Sequence, residues 1–176
     1  FKIFNLKNMK KTPWFERKFP SIEDNGIYPS ILERLEGTPA RLTQKMKRME
    51  SDLTQSIEGK WSIKKEIGHL IDLEYLWNER AKQIVSDQGQ LLVADLTNQK
   101  THQAEHDEKS VRSLIMNFRK KRSELMKTLM NIEAEDLEKA AIHPRLGTPM
   151  RLIDLAFFVA EHDDHHLAQI TFLSKK

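Results

Sequence analysis

FFVAEHDDHHLAQI, residues 157–170, sets three histidines and two aspartates inside an apolar run. At ~100° per residue, a helix centred on Val159 brings Leu152, Leu155, Ile170 and Leu173 within ~40° of it, which defines one apolar stripe. His166 then lies ~20° and His162 ~60° from the centre of that stripe, whereas His165 lies ~120° away beside Phe158 and Phe172. Two histidines are therefore expected in a packed interior, and His165 at its margin.

Working outward, the same helical spacing recurs in three more blocks. This helix is expected to begin at Thr148-Pro149, an N-cap residue followed by Pro in the first turn, and to reach about Ser174. The first helix should start on the same chemistry at Thr38-Pro39 and run to about Ile57 through Leu42, Met46, Met49 and Leu53. The second follows Ser62 and carries Ile63, Ile67, Leu70, Ile71, Trp77, Ala81 and Ile84 to about Ser86. The third spans roughly Asp107 to Asn131 on Val111, Leu114, Ile115, Phe118, Leu125, Met126 and Leu129. Four amphipathic helices of ~20–26 residues bury their faces most economically as an all-α four-helix bundle.

Around this frame, residues 1–37 read as an irregular lead-in, because Pro13, Pro20, Gly26 and Pro29 punctuate it. Within it a short helix near Ser30–Leu35 is expected, with Trp14, Phe15 and Tyr28 packing on the bundle formed by residues 38–176. Residues 1–8 precede Met9 and read as an appended or mis-assigned start. Residues 87–106 form a polar connection whose "LLVADL" suits an extended piece or a turn of helix. A short acidic helix is expected over 134–141, ended by "HPRLG", and strand signals are nearly absent.

At 176 residues the chain suits one domain. Lys+Arg 29 against Asp+Glu 26 leaves a net charge of only +3, too small an excess to imply nucleic acid without clustering. The nearest cluster, Arg119-Lys120-Lys121-Arg122, keeps helical spacing with Phe118 and Leu125 and reads as a solvated face. No apolar run approaches the ~18 residues of a membrane span, and the N-terminal residues lack a signal-peptide block, so the cytoplasm is the expected compartment. There is no cysteine, so a metal would be held by His, Asp or Glu.

His162 and His166 are one turn apart and can reach a common ion. The pair alone does not separate a ligand from a structural role. A third ligand must come from another helix, and His69, at the edge of the second helix's apolar arc, is the candidate. Three inward imidazoles with a fourth position open match a catalytic ion, which activates water or polarises a substrate oxygen. Glu161, Asp163 or Asp164 could then orient an imidazole or act as a base. His102 and His106 form a second such pair in polar surroundings and are expected to be solvated or to form a lid. His143 is expected to cap the turn before it, or else to line the mouth of the site.

The stretches "WSIKKEIGHLIDLEYLWNER" and "HPRLGTPMRLIDLAFFVAEHDDHHLAQI" resemble the DinB/YfiT-like family of metal-dependent four-helix-bundle proteins. "DLTNQKTHQAEHDE" and "FRKKRSELMKTL" extend the resemblance over residues 14–173. It implies a four-helix bundle in which His69, His162 and His166 hold one divalent ion: zinc, nickel, iron or manganese. It further implies metal-dependent hydrolysis, or transfer involving a low-molecular-weight thiol, on a small-molecule substrate. Members are often dimers, so a homodimer is an expectation that the residues neither support nor oppose. Two competing readings stand beside this one. In the first, a di-metal carboxylate bundle uses Glu66, His69, Asp163 and His166 with Glu50 and Glu108. In the second, the bundle is non-catalytic and its histidines are structural or vestigial.

Overall fold

The computed structural model describes residues 12–49, 52–56 and 59–174. Its helices, in chain order, are α1 Tyr28–Glu36, α2 Thr38–Lys47, α3 Ile63–Val85, α4 Gln99–Gln103, α5 Val111–Met130 and α6 Leu152–Leu173. The strands β1 Ala140–Ile142 and β2 Pro149–Arg151 pair antiparallel, Ala141 opposite Met150. The architecture is a four-helix bundle: α3 packs against both α5 and α6, and α1 and α2 together supply the remaining member against the same two helices.

Local chemistry explains the boundaries. The Ser62 hydroxyl accepts from the Lys65 amide and starts α3, and the Ser110 hydroxyl accepts from the Ser113 amide and starts α5. Between α1 and α2, Pro39 has no N–H to donate to the carbonyl of Leu35, four residues back, and that carbonyl is left for another donor. Arg122 on α5 takes it, at 2.9 Å. Leu35, Leu42, Ile67, Phe118 and Ile170, all fully buried, fill the interior. Each such burial stabilises by about 1.5–3 kcal/mol relative to exposure.

Several sequence expectations are corrected. The first helix ends at Lys47, and its expected end near Ile57 lies outside the described residues, as do residues 1–8. Ahead of it, α1 is longer than the expected short helix and buries Tyr28, Ile31 and Leu35. Phe15 is 60% exposed and does not pack into the bundle as expected, whereas Trp14 does. Thr148-Pro149 does not cap a helix: Pro149 begins β2, and α6 starts at Leu152, where the Asp154 carboxylate accepts from the Arg151 amide. The acidic helix is a 3-10 turn over Ala134–Glu138 that gives way to β1. The third helix starts at Val111, since the segment before it forms a separate 3-10 turn, His106–Glu108. The "LLVADL" piece is extended: the Leu91 amide donates to the Ile142 carbonyl at 3.0 Å, which lays the connection beside β1. Among the described residues no helix is long and apolar enough to cross a membrane.

Arg122 overturns the reading of its cluster as uniformly solvated. It is 2% exposed, while Arg119 and Lys120 face solvent. Its guanidinium donates to both Glu74 oxygens, to both Asp163 oxygens (2.6 and 3.0 Å) and to the Leu35 carbonyl. All five of its N–H groups are thereby used. The Thr38 hydroxyl adds a bond to Asp163 at 2.8 Å, so this one network joins α1, α2, α3, α5 and α6. Removing one member of a buried network leaves charges stranded. Arg122→Met should accordingly lower unfolding stability by about 3–5 kcal/mol in urea titration, against less than about 0.5 for the exposed Arg119→Met.

Candidate metal centre

Helix α3 delivers His69 and helix α6 delivers His162 and His166, all three buried. One ligand-capable nitrogen from each lies within 4.8 Å of the other two. The predicted trio is thus brought together. Nε2 of His162 faces Nε2 of His166 at 3.1 Å.

Hydrogen bonds behind the rings decide which nitrogens face inward. Glu66, one turn before His69 on α3, places Oε2 at 2.5 Å from Nδ1 of His166, so Nδ1 carries the proton and Nε2 keeps its lone pair. For His69 the partner is Thr101. The single hydroxyl hydrogen of Thr101 goes to Asp72 Oδ2 at 3.0 Å, so its oxygen must accept from Nδ1–H of His69, also at 3.0 Å. Among the described residues His162 has no such partner, and its Nδ1 is buried without a hydrogen bond. Its ring is instead held edge-on between Trp14 and Trp77, with centroids at 5.0 and 5.5 Å.

Burial keeps these imidazoles neutral, the form that binds metals. Desolvation, then the neighbouring His166, pushes His69 down to about 3. Desolvation pushes His166 down to about 4 even though Asp163 opposes it. His162 is lowered well below 6.5 by desolvation and by His166 and His69. With the proton on Nε2 of His162 the 3.1 Å contact is a hydrogen bond to the His166 lone pair, and with that proton on Nδ1 instead the two Nε2 lone pairs converge where a cation can take the proton's place. These residues therefore fit a divalent ion: the donor set is all imidazole, and two rings are locked with Nε2 inward.

The expected carboxylates serve elsewhere. Asp163 is taken by Arg122 and Thr38, Asp164 by Arg34 and Arg41, and Glu161 by Arg34 and Arg17. Glu66, Thr101 and Asp72 take the orienting role in their place. Of the residues named for a di-metal site, Asp163 and Glu108 do not join the cluster, and Glu50 lies outside the described residues.

Two histidines depart from expectation. His102 is exposed, packing edge-on to Trp61, but His106 is buried and sets Nε2 at 2.8 Å from Asp72. A Cβ at position 68 would fall 2.2 Å from the His106 ring, so Gly68 is the residue that lets this ring against α3. His143 is buried and caps the turn after it, not the one before: its Nδ1 accepts from the amides of Arg145 and Leu146. It also faces a cavity of about 380 Å³ that runs from the imidazoles past Trp14, Trp77 and Phe158 to Arg80 and Arg145. His165, half-buried, lines the same space.

The sequence profile of the DinB superfamily matches residues 34–170. A similar solved structure is YfiT from Bacillus subtilis, described as a probable metal-dependent hydrolase with an unusual four-helix bundle topology. It shares 20% identity over 90% of this chain and 92% of that one, with a TM-score of 0.75, a likeness of fold. No curated protein matches the sequence.

The depressed imidazoles make stability depend on pH. Between pH 6.5 and about 4 the unfolded chain binds protons that the folded imidazoles refuse, so stability rises with pH and is lost on acidification. For protein stripped of divalent ions, urea titrations between pH 6.5 and 5 should show this slope. His69→Gln should flatten it by about 1 kcal/mol per pH unit; an unchanged slope would mean that His69 is not held neutral.

Proposed function

The chain belongs to the DinB superfamily, and from that premise we propose that His69, His162 and His166 hold one divalent ion and that the protein is a metal-dependent hydrolase or thiol-dependent transferase for a small molecule. One observation carries the reading. Glu66 and Thr101 compel two imidazoles to present Nε2 lone pairs beside a third, at the end of a cavity large enough for a small substrate.

An ion held by three imidazoles keeps a position for substrate or water and acts as a Lewis acid there. The chain's own groups prepare that position. Glu66 and Thr101 fix ring orientation and raise the basicity of the donor nitrogens. Trp61 lies 4.9 Å from the His69 ring and stacks parallel to His166 at 6.4 Å, which shields that side from water. Trp14 and Trp77 shield the other side around His162. The sequence has no cysteine, so on the transferase branch the thiol is a co-substrate that enters the cavity. Zinc, nickel and iron suit the all-imidazole donor set, and manganese, which prefers oxygen ligands, suits it least.

Protein loaded with excess metal and then dialysed should retain one divalent ion per chain by elemental analysis. His69→Ala and His162→Ala should lose it, and Glu66→Ala should weaken it about 10–100-fold. Unchanged occupancy in both histidine variants would refute the site, and two ions per chain would refute its mononuclear form.

A further inference from the structure

At the end of the cavity away from the imidazoles, hydrogen-bond donors outnumber acceptors. Arg80 on α3 is 1% exposed, and its Nε and Nη2 both donate to the Leu92 carbonyl. Its Nη1 meets Nε2 of His143 at 3.1 Å. Nδ1 of His143, however, already faces two backbone N–H groups, those of Arg145 and Leu146, at 3.2 Å each. A neutral imidazole has one donor and one acceptor nitrogen. Whichever nitrogen carries the proton, a donor there points at another donor. Nη2 of Arg145, lining the same space, is buried without a hydrogen-bond partner among the described residues.

Charge is unbalanced in the same place. Among the described residues neither Arg80 nor Arg145 has an ion pair, whereas the buried Arg122 has two carboxylates. The carboxylates that do line the cavity are committed: Asp95 accepts from Thr97 and Gln99, and Glu66 holds His166. Burial and the nearby Arg145 charge hold Arg80 down to about 10, the sign of two cations sharing a desolvated space. Both guanidiniums sit over cavity rings, Arg80 5.5 Å from Trp77 and Arg145 6.0 Å from Phe158. Trp77 in turn contacts His162, so one indole separates this end from the imidazoles.

We propose that Arg80, Arg145 and His143 form an oxyanion subsite, and that the substrate is a small organic anion whose carboxylate or phosphate docks there. Its apolar body lies along Trp77 and Phe158, which brings its other end to the imidazole cluster. The substrate role rests on the metal-centre reading, but the subsite is a property of the two arginines and binds anions without metal.

The test uses phenylacetate, its neutral isostere 2-phenylacetamide, and phenyl phosphate, titrated by calorimetry at low salt into both metal-loaded and chelator-stripped protein. Stripped wild type should bind at least one of the two anions about tenfold more tightly than the amide. Whichever anion shows the larger preference identifies the docking group. Arg145→Gln, at a half-buried position away from the imidazoles, should erase the preference while keeping the wild-type metal content and circular dichroism; Arg145→Lys should keep part of it. Equal binding of acids and amide to stripped wild type, or an undiminished preference in Arg145→Gln, overturns the proposal. If wild type takes up no metal yet keeps an anion preference that Arg145→Gln removes, the subsite stands and the metal-centre reading falls.

Discussion

The fold turns on one guanidinium. Burying the Arg122 cation is tolerable only because Glu74, Asp163 and the Leu35 carbonyl together satisfy all five of its N–H groups. The Leu35 carbonyl is available because Pro39 cannot occupy it. Asp163 is also the residue that sets the rotation of α6. With Asp163 turned toward Arg122, His162 lies ~100° and His166 ~60° around the helix on one common side. Glu74 likewise anchors α3, the helix that carries Glu66 and His69. The clamp that holds the bundle thus also aims the imidazoles.

The interior treats its buried polar groups in three ways. At Arg122 the charge is kept and fully balanced. At His69, His162 and His166 burial removes the charge, and at His69 and His166 hydrogen bonds from behind choose which lone pair faces inward. At Arg80 and Arg145 the charge is kept with no carboxylate partner among the described residues, and donors face donors. The first arrangement stabilises the fold. The other two leave the site short of a positive partner at one end of the cavity and of a negative one at the other, the complement of a metal ion and an organic anion.

Much of this was legible in the sequence, for identifiable reasons. The bundle and the inward direction of His162 and His166 followed from 3.6-residue periodicity, and α3 began at its Ser62 cap as expected. Arg122 reads as solvated from its charged neighbours alone, yet it falls in the buried stripe, four residues after Phe118 and three before Leu125. Thr148-Pro149 looked like a helix start, but whether such a dipeptide caps a helix or opens a strand depends on a partner strand, β1, that no local pattern announces. His106 seemed solvated because the atoms that enclose it, Asp72 and the bare face of Gly68, lie on another helix. Glu66 carried a usable signal, a carboxylate inside an apolar arc one turn before a histidine. Its actual partner, His166, is a hundred residues away in sequence.

The central claim is that three imidazoles from two helices bind one ion. X-ray absorption spectroscopy on protein loaded with one equivalent of zinc tests it most directly. The account predicts three imidazole ligands with oxygen completing the shell in the wild type, and loss of that three-imidazole signature in His162→Ala. Two or fewer imidazoles in the wild type, or a metal–metal vector, would contradict it.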